Sequence, residues 1–218
     1  MRLSNHAENN NMTTDKIDLE MKKVPRQARS KATVEAIIQS CKLLLLEQGY
    51  NPLTTNDIAR VAGVSIGSVY EYFPGKEAVV TAMVRELIES YFKKLKSEIT
   101  SKHNNNYETA MRHWIGLLFK LVQENKRLLQ VLLFEVPYSL RIVPVDSIKA
   151  ELFTLVMQGA ARSQNQYKLN VTPEVLYLIS TTTAGTLTGL VFAPSPHIES
   201  EKVLNELSNK IVAWMRQE

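Results

Sequence analysis

The sequence has few of the residues that form covalent cross-links or metal sites. Its single cysteine, Cys41, cannot form an intramolecular disulfide, and its helical apolar surroundings predict a small core residue in a reducing compartment. The four histidines are scattered, and none has zinc-ligand spacing with another histidine or with the cysteine. No Ser-His-Asp or phosphate-loop signature occurs. We therefore expect no catalytic residue, no metal, no cofactor and no enzyme activity.

Long apolar runs are also missing. No segment reaches the roughly 18 to 20 apolar residues that a membrane helix needs, and the nearest one, 179–193, is rich in threonine. The first residues lack the apolar centre of a secretory signal. These absences predict a cytoplasmic protein that has no membrane partner.

Period-two alternation, the pattern of half-buried strands, is absent too. Apolar residues instead recur with a period of about 3.6 almost to the end of the chain, which predicts an all-α fold. Residues 1–24 are polar and asparagine-rich, and we expect a flexible tail there. We assign residues 25–76 to a three-helix domain with a helix-turn-helix and residues 77–218 to a larger helical domain.

Positive charge is concentrated in one quarter of the chain. Residues 22–76 contain eight lysines and arginines against four acidic residues, whereas the remainder has eighteen of each sign. A solvated basic face would give the same count, so charge alone does not decide between that and a nucleic-acid surface.

Helix start and stop signals divide this basic region into three helices. The first is predicted from Ser30 to Gln48 and is closed by Gly49. Thr54 and Asp57 form a capping box for a second helix that ends at Gly63, and Ser65 caps a third that runs to about Phe73. Two short helices joined by a three-residue turn with glycine predict a helix-turn-helix.

The outer face of the third helix has short side chains. Ile66, Gly67 and Ser68 lie there, where they allow close approach to base edges in a major groove. Tyr70, Tyr72 and Lys76 are placed to reach flanking phosphates. Helix-turn-helix geometry also occurs in proteins that never touch DNA, and the pattern leaves that alternative open.

The residues that carry a family resemblance are Arg29, Gly49 with Tyr50, Thr54, the segments DIA (57–59), AGVS (62–65) and VYEYF (69–73), Gly67, and Lys76 with Glu77. In this order, without gaps and over about fifty residues, they resemble the N-terminal domain of the TetR family of bacterial transcriptional regulators. The resemblance implies a homodimer that binds a palindromic operator, usually as a repressor, and that leaves DNA when a small ligand enters its C-terminal domain.

The resemblance also implies roles for individual residues. Thr54 and Thr55 would contact phosphates, Ser65 to Ser68 would read bases, and Tyr70, Tyr72 and Lys76 would contact the DNA backbone. The full set of expected DNA contacts is Arg29, Thr54, Thr55, Ser65, Ile66, Gly67, Ser68, Tyr70, Tyr72 and Lys76. Two residues depart from the family pattern: Leu53 replaces a frequent threonine, and Ile66 replaces a polar or basic residue. A thymine methyl is the partner that an isoleucine can contact.

The last two predicted helices, 173–192 and 200–217, carry candidate dimer contacts. Gly185 and Gly189 permit close helix approach, and an apolar seam follows at three-and-four spacing. The expected interface residues are Gly185, Gly189, Leu204, Leu207, Ile211 and Trp214. Both features would serve an intrachain core equally well, but we favour a four-helix dimer interface, and the family resemblance supports it.

A pocket for the small molecule is the weakest prediction. Polar, aromatic or soft side chains near apolar segments suggest His113, Trp114, Tyr138, Arg141 and Met157, although each alone is also typical of packing or solvation. The sequence thus predicts a ligand-responsive, operator-binding repressor. The alternative is a helical dimeric module that binds a small molecule or a protein and has no operator function.

Overall fold

The computed structural model describes residues 17–101, 107–142, 145–162 and 172–216. These residues form helices only, which confirms the predicted all-α fold. The helices are α1 (Ala28–Gln48), α2 (Thr55–Ala62), α3 (Ile66–Tyr72), α4 (Lys76–Ser101), α5 (Tyr107–Glu124), α6 (Lys126–Phe134), α7 (Ser139–Ile142), α8 (Val145–Arg162), α9 (Pro173–Phe192) and α10 (Ser200–Met215).

Most helix bounds agree with the sequence patterns to within two residues. Helix α1 begins at Ala28 rather than Ser30: the Lys31 N–H already donates to the Gln27 carbonyl, and Ser30 lies inside the first turn. Its end at Gly49 is as predicted: this glycine has φ of 80°, and its N–H donates to the Leu45 carbonyl. The sequence patterns did not indicate the single-turn helix α7.

A first hydrophobic cluster joins the helix-turn-helix to helices further along the chain. The apolar faces of α1, α2 and α3 pack with the first half of α4 and with side chains of α6 and α7. Leu128, Val131 and Tyr138 belong to this cluster together with Ile37 and Phe73. The core is therefore continuous across the predicted domain boundary at residue 76, which remains a sequence assignment.

A second cluster lies at the other end of the molecule. It is built mainly from α5 and α10, which pack against each other along Met111, Ile115, Leu207 and Ile211. Leu95 of α4 and Leu155 of α8 complete it. Since α4 contributes to both clusters, it connects the helix-turn-helix rigidly to the C-terminal helices.

Helix α9 is apolar but little buried. By length and composition alone, this helix is long and apolar enough to cross a membrane. Only 11% of its most apolar stretch is buried within this chain. This corrects the expectation that no segment reaches membrane length, although one such helix is weak grounds for a membrane protein. Two of its threonine hydroxyls bond within the helix: Thr181 donates to the Tyr177 carbonyl at 2.7 Å and Thr188 to the Ala184 carbonyl at 2.7 Å, whereas the buried Thr183 hydroxyl has no partner among the described residues. The exposed side of α9 therefore presents mostly apolar surface.

Candidate nucleic-acid interface

Helix α2 begins with the Thr54 cap that the sequence predicts, although the Asp57 carboxylate accepts from the Thr54 hydroxyl and not from the backbone N–H that a capping box would use. The Thr54 hydroxyl accepts the Asp57 N–H at 3.1 Å and donates to the Asp57 carboxylate at 2.6 Å. That hydrogen bond and the nearby Arg60 guanidinium, 3.3 Å from the carboxylate, hold the pKa of Asp57 below its usual range. The N-terminal turn of α2 is thus held in place by this cap. Thr54 is exposed and Thr55 half-exposed, and both lie beside the backbone N–H groups at the start of α2.

The turn between α2 and α3 depends on Gly63. This residue is left-handed, with φ of 66°, and its N–H donates back to carbonyls at the end of α2. The Val64 N–H donates to the Ala59 carbonyl at 3.1 Å, and the Val64 side chain packs against the first cluster. These bonds stop α2 and set α3 across it, which is the geometry of a helix-turn-helix.

Helix α3 presents the short outer face that the sequence predicts. The Ser65 hydroxyl accepts the Ser68 N–H at 3.0 Å, and the two hydroxyls lie 2.9 Å apart. Ile66 and Gly67 are exposed in the turn between them, and a Cβ added at Gly67 would approach no atom closer than the Ser65 hydroxyl, at 3.6 Å. This face of α3 is therefore open to a partner as large as a DNA duplex.

Tyr70 links the two short helices on the same side. Its hydroxyl lies 3.1 Å from the Thr55 hydroxyl, and its ring is exposed. The pair is positioned beside the N-terminus of α2, where hydroxyl and backbone donors favour an anion such as a phosphate. Arg29, on the first turn of α1, is also exposed. The DNA contacts of these residues stay predictions.

Two of the predicted backbone contacts face the protein instead. Tyr72 is 6% exposed and packs its ring in the first cluster, so its expected contact with a phosphate stays a prediction for the hydroxyl alone. The Lys76 ammonium donates to the Leu53 carbonyl at 3.0 Å and lies 4.4 Å from the centre of the Tyr50 ring. It therefore supports the turn before α2 rather than reaching outward. Tyr72 and Lys76 each come three residues after a core position, Val69 and Phe73. That spacing is a sequence signal that favours burial.

The sequence missed a segment that holds α3 in place. We call residues 17–24 the N-terminal strap. The Lys22 N–H donates to the Tyr72 carbonyl at 2.8 Å, the Lys22 ammonium donates to the Tyr70 carbonyl at 2.9 Å, and Lys23 pairs with Glu71. These contacts differ from the flexible tail expected over residues 1–24, of which residues 1–16 lie outside the described part of the chain. Because the strap lacks periodicity, only the pair Lys22-Lys23 hinted at a role.

The residues predicted to form an effector pocket do not come together. Trp114 belongs to the second cluster, while Tyr138 belongs to the first, where its ring packs edge-on against Tyr50 with centroids 5.8 Å apart. His113 lies on another surface with its Nε2 3.4 Å from Glu98, and Arg141 and Met157 are exposed. The predicted pocket is therefore wrong as a set. The sequence patterns treated each residue singly, whereas two separate cores divide them.

A groove of about 500 Å³ lies elsewhere, between α4 and α8. None of the residues predicted for the pocket lines it. Its lining residues are Arg85, Ile88, Glu89, Phe92, Lys93, Lys96, Ser147, Ile148 and Glu151. Among the described residues, no group of three His, Cys, Asp or Glu side chains is placed to hold a metal ion.

The predicted dimer residues also divide. Leu207 and Ile211 are 6% and 1% exposed within a single chain, because the α10 seam packs against α5, so their assignment to an intermolecular interface is wrong. Leu204 and Trp214 pack partly against the same cluster. Gly185 and Gly189 of α9 are exposed, and a Cβ added at either would meet no atom within 4 Å. Tyr177 and Leu178 of the same helix are also exposed.

A helix-turn-helix followed by a larger helical unit is an architecture that DNA-binding regulators use, and comparison with known proteins shows which family this chain resembles. Residues 37–83 match the model of the family described as bacterial regulatory proteins, tetR family. The chain is 29% identical over 105 residues to the uncharacterized HTH-type transcriptional regulator YuxN of Bacillus subtilis, a match that covers 47% of this chain and 35% of that protein. It is 31% identical over 115 residues to the nucleoid occlusion factor SlmA of Glaesserella parasuis, with 52% and 54% coverage.

Solved structures extend the likeness to the C-terminal helices. A TetR-family transcriptional regulator from Streptomyces coelicolor superimposes with a TM-score of 0.61 at 19% identity, over 85% of this chain and 97% of that one. In residues 37–83 the chain is therefore similar to the tetR family of bacterial regulatory proteins, and over most of its length it shares the fold of a TetR-family regulator. The matched family is described as regulatory proteins, which supports the prediction that the chain is not an enzyme. The chain spans only about a third to a half of the length of the two relatives.

Proposed function

We propose that this chain is a DNA-binding transcriptional regulator, a repressor that binds a palindromic operator on the nucleoid as a cytoplasmic homodimer and is released by a small molecule. The observation that carries the proposal is the outer face of α3. This helix is capped at its start and held at its end, and Ile66, Gly67 and Ser68 lie on its open side. Rigid presentation of short side chains is what readout in a major groove requires.

Salt dependence tests the DNA partner. DNA fragments bound by the protein are first selected from genomic or random DNA, and affinity for the selected site is then measured against salt. The logarithm of the affinity should fall with the logarithm of salt at a slope of about −0.9 per phosphate contact. A response without slope would favour the second candidate, a helical module that binds small molecules or proteins. The groove and the exposed face of α9 are compatible with that candidate.

Matched substitutions separate positioning from readout. Arg29→Ala should weaken binding to all sequences about equally and reduce the slope by about 0.9, because it removes one phosphate contact. Ser68→Ala should instead change which sequence is preferred. Arg112→Ala, an equal loss of charge on the exposed side of α5, should change neither property. A change of sequence preference by Arg29→Ala with an unaltered slope would contradict these roles.

The homodimer is proposed on the exposed face of α9. Tyr177, Leu178, Ala184, Gly185 and Gly189 lie exposed on a helix in which the hydroxyls of Thr181 and Thr188 bond to the helix backbone, and water disfavours such an apolar surface. The small residues at 184, 185 and 189 allow a second helix to approach closely. One recognition helix reads few base pairs, so pairing two of them about one DNA turn apart supplies the specificity.

Sedimentation tests this interface. Ala184→Arg places a long charged side chain on the proposed contact, and we expect a folded monomer that has lost operator affinity. Gln123→Arg introduces the same side chain on the exposed face of α5 and should leave the dimer intact. If Ala184→Arg remained a dimer with normal operator binding, the interface would lie elsewhere.

Release by a small molecule is proposed at the groove between α4 and α8. Helix α4 begins beside the helix-turn-helix, contributes to both clusters and lines the groove. A ligand that binds the DNA-free form better must weaken operator binding by the factor by which operator weakens ligand binding. Titrating compounds that raise the melting temperature, with and without operator, tests this reciprocity. Hits that bind equally in both titrations would separate the groove from DNA binding.

A further inference from the structure

The N-terminal strap acts on the end of α3 that the helix-turn-helix leaves unsupported. Helix α3 has seven residues, and the carbonyls of its last turn have no partner within the helix. Lys22 supplies two donors, its N–H to the Tyr72 carbonyl and its ammonium to the Tyr70 carbonyl. Lys23 adds an ion pair with Glu71. The strap therefore caps the recognition helix from outside.

The other end of the strap is tied to α4. The Glu20 carboxylate accepts two hydrogen bonds from the Arg85 guanidinium, at 2.8 Å from Nη1 and 2.5 Å from Nη2. Leu19 and Met21, on either side of Glu20, pack against the first cluster. A planar guanidinium that faces both oxygens of a carboxylate is the strongest form of such a pair.

Arg85 also lines the groove between α4 and α8. Ile88, Phe92 and Ile148 give this groove an apolar surface of moderate size. Of its other cations, Lys96 is paired with Glu151 at 2.8 Å. Arg85 thus lies between the apolar groove and the Glu20 carboxylate of the strap. Because its present partner is a carboxylate, an anionic group of similar shape can bind it in the same way.

We propose, as an extension of the proposed function, that the groove binds an amphipathic anion whose carboxylate or phosphate group replaces Glu20 on Arg85 and so releases the strap from α3. The apolar part of the ligand packs against Ile88, Phe92 and Ile148, and its anionic end faces the guanidinium. Loss of the Glu20 tie leaves the Lys22 and Lys23 contacts without support from α4. The C-terminal turn of the recognition helix then loosens, and operator affinity falls.

Competition for Arg85 can be measured without DNA. The probes are decanoate, below its micelle concentration, and decanol, which has the same chain without the charge. Calorimetry should find that decanoate binds the full-length protein and that Glu20→Gln binds it several-fold more tightly, because the internal competitor is gone. Arg85→Gln should reduce decanoate affinity to that of decanol. Arg112→Gln, an equal loss of charge on α5, should bind decanoate like the unsubstituted protein.

Two further readouts follow the strap itself. Saturating decanoate should increase amide hydrogen exchange at residues 69–73 in the unsubstituted protein, but not in Arg85→Gln. Glu20→Gln alone should weaken operator binding by up to about fivefold, the effect of losing an exposed ion pair of about 1 kcal/mol.

Equal decanoate affinity in the unsubstituted protein, Glu20→Gln and Arg85→Gln would overturn the proposal, as would failure of decanoate to bind. Unchanged exchange at residues 69–73 with decanoate bound would overturn the release step. Absence of DNA binding would overturn the proposed function alone, because competition and exchange are both measured on the DNA-free protein.

Discussion

The helix-turn-helix and helix α9 differ in how their surfaces are covered. Helices α2 and α3 have eight and seven residues, and every apolar side chain that faces inward is packed by the same chain. Helix α9 has twenty residues, is the most apolar helix by composition, and has 11% of its most apolar stretch buried. The apolar sides of these two short helices are thus covered by the chain itself, whereas that of the long apolar helix is mostly uncovered.

This difference separates two kinds of surface. Isolated helices of seven or eight residues are not stable in water, so α2 and α3 depend on caps and on the first cluster, and their outward side mixes polar and small groups with Ile66 and Tyr70. Helix α9 has uncovered apolar area, which water disfavours. The first surface fits a polar partner such as DNA, and the second fits another apolar helix.

Two phenylalanines give the largest test of this comparison. Phe73, at the end of α3, is 0% exposed, whereas Phe134, on α6, is 71% exposed and meets only the edge of Phe192, with ring centroids 5.9 Å apart. Phe73→Ala should lower the free energy of unfolding by about 3–5 kcal/mol through the lost burial and the cavity. Phe134→Ala should change it by less than about 1 kcal/mol. Urea unfolding at one fixed protein concentration measures both, and equal losses would contradict the difference in burial.

Two leucines distinguish folding from assembly. Leu207→Lys would bury an unpaired charge against α5, so we expect loss of several kcal/mol of stability and an unfolded or aggregated C-terminal unit. Leu178→Lys, on the exposed face of α9, should leave a folded monomer. Circular dichroism and sedimentation together separate these results. A folded, dimeric Leu207→Lys would show that the α10 seam is not core.

Two threonine caps should give a smaller difference. Thr54 accepts the Asp57 N–H at 3.1 Å and also bonds the Asp57 carboxylate, while Thr172 accepts the Val175 N–H at 3.3 Å. Thr54→Ala should lower the free energy of unfolding by about 1 kcal/mol, with a smaller loss for Thr172→Ala, because α2 is too short to tolerate fraying. Thr→Ser at each position keeps the hydroxyl and should restore most of the stability. A larger effect at Thr172 would reverse the comparison.

The effect that is smallest at neutral pH concerns the titration of Cys41 in the first cluster. Burial raises the pKa of this thiol to about 12, so the folded protein keeps a proton that the unfolded chain loses at lower pH. Stability should therefore be unaffected below the unfolded pKa and should decrease above it, by up to about 1.4 kcal/mol per pH unit, until pH reaches the folded pKa. Comparing the alkaline slope with that of Cys41→Ala isolates this contribution. An identical slope would show that the thiol titrates normally and is not enclosed.

Local signals explain why the helix-turn-helix was predictable. The cap of Thr54 on Asp57, the left-handed Gly63 and the cap of Ser65 each act within four residues, and the structure has all three where the sequence placed them. The pocket was not predictable by the same means. Nothing in the local pattern around Trp114 or Tyr138 indicates which cluster the residue joins, because membership depends on which helices meet.

The sequence by itself determined the helices, their ends and the turn that crosses α3 over α2, since hydrogen bonds along a helix and φ preferences at glycine are local properties. Tertiary structure decided which faces those helices cover. It buried Tyr72 and turned the Lys76 ammonium onto backbone carbonyls, and it packed the α10 seam against α5 while α9 stayed exposed. It also laid the N-terminal strap between α3 and Arg85. Periodicity identifies the apolar face of a helix, but the packing of the whole chain decides which other helix covers that face.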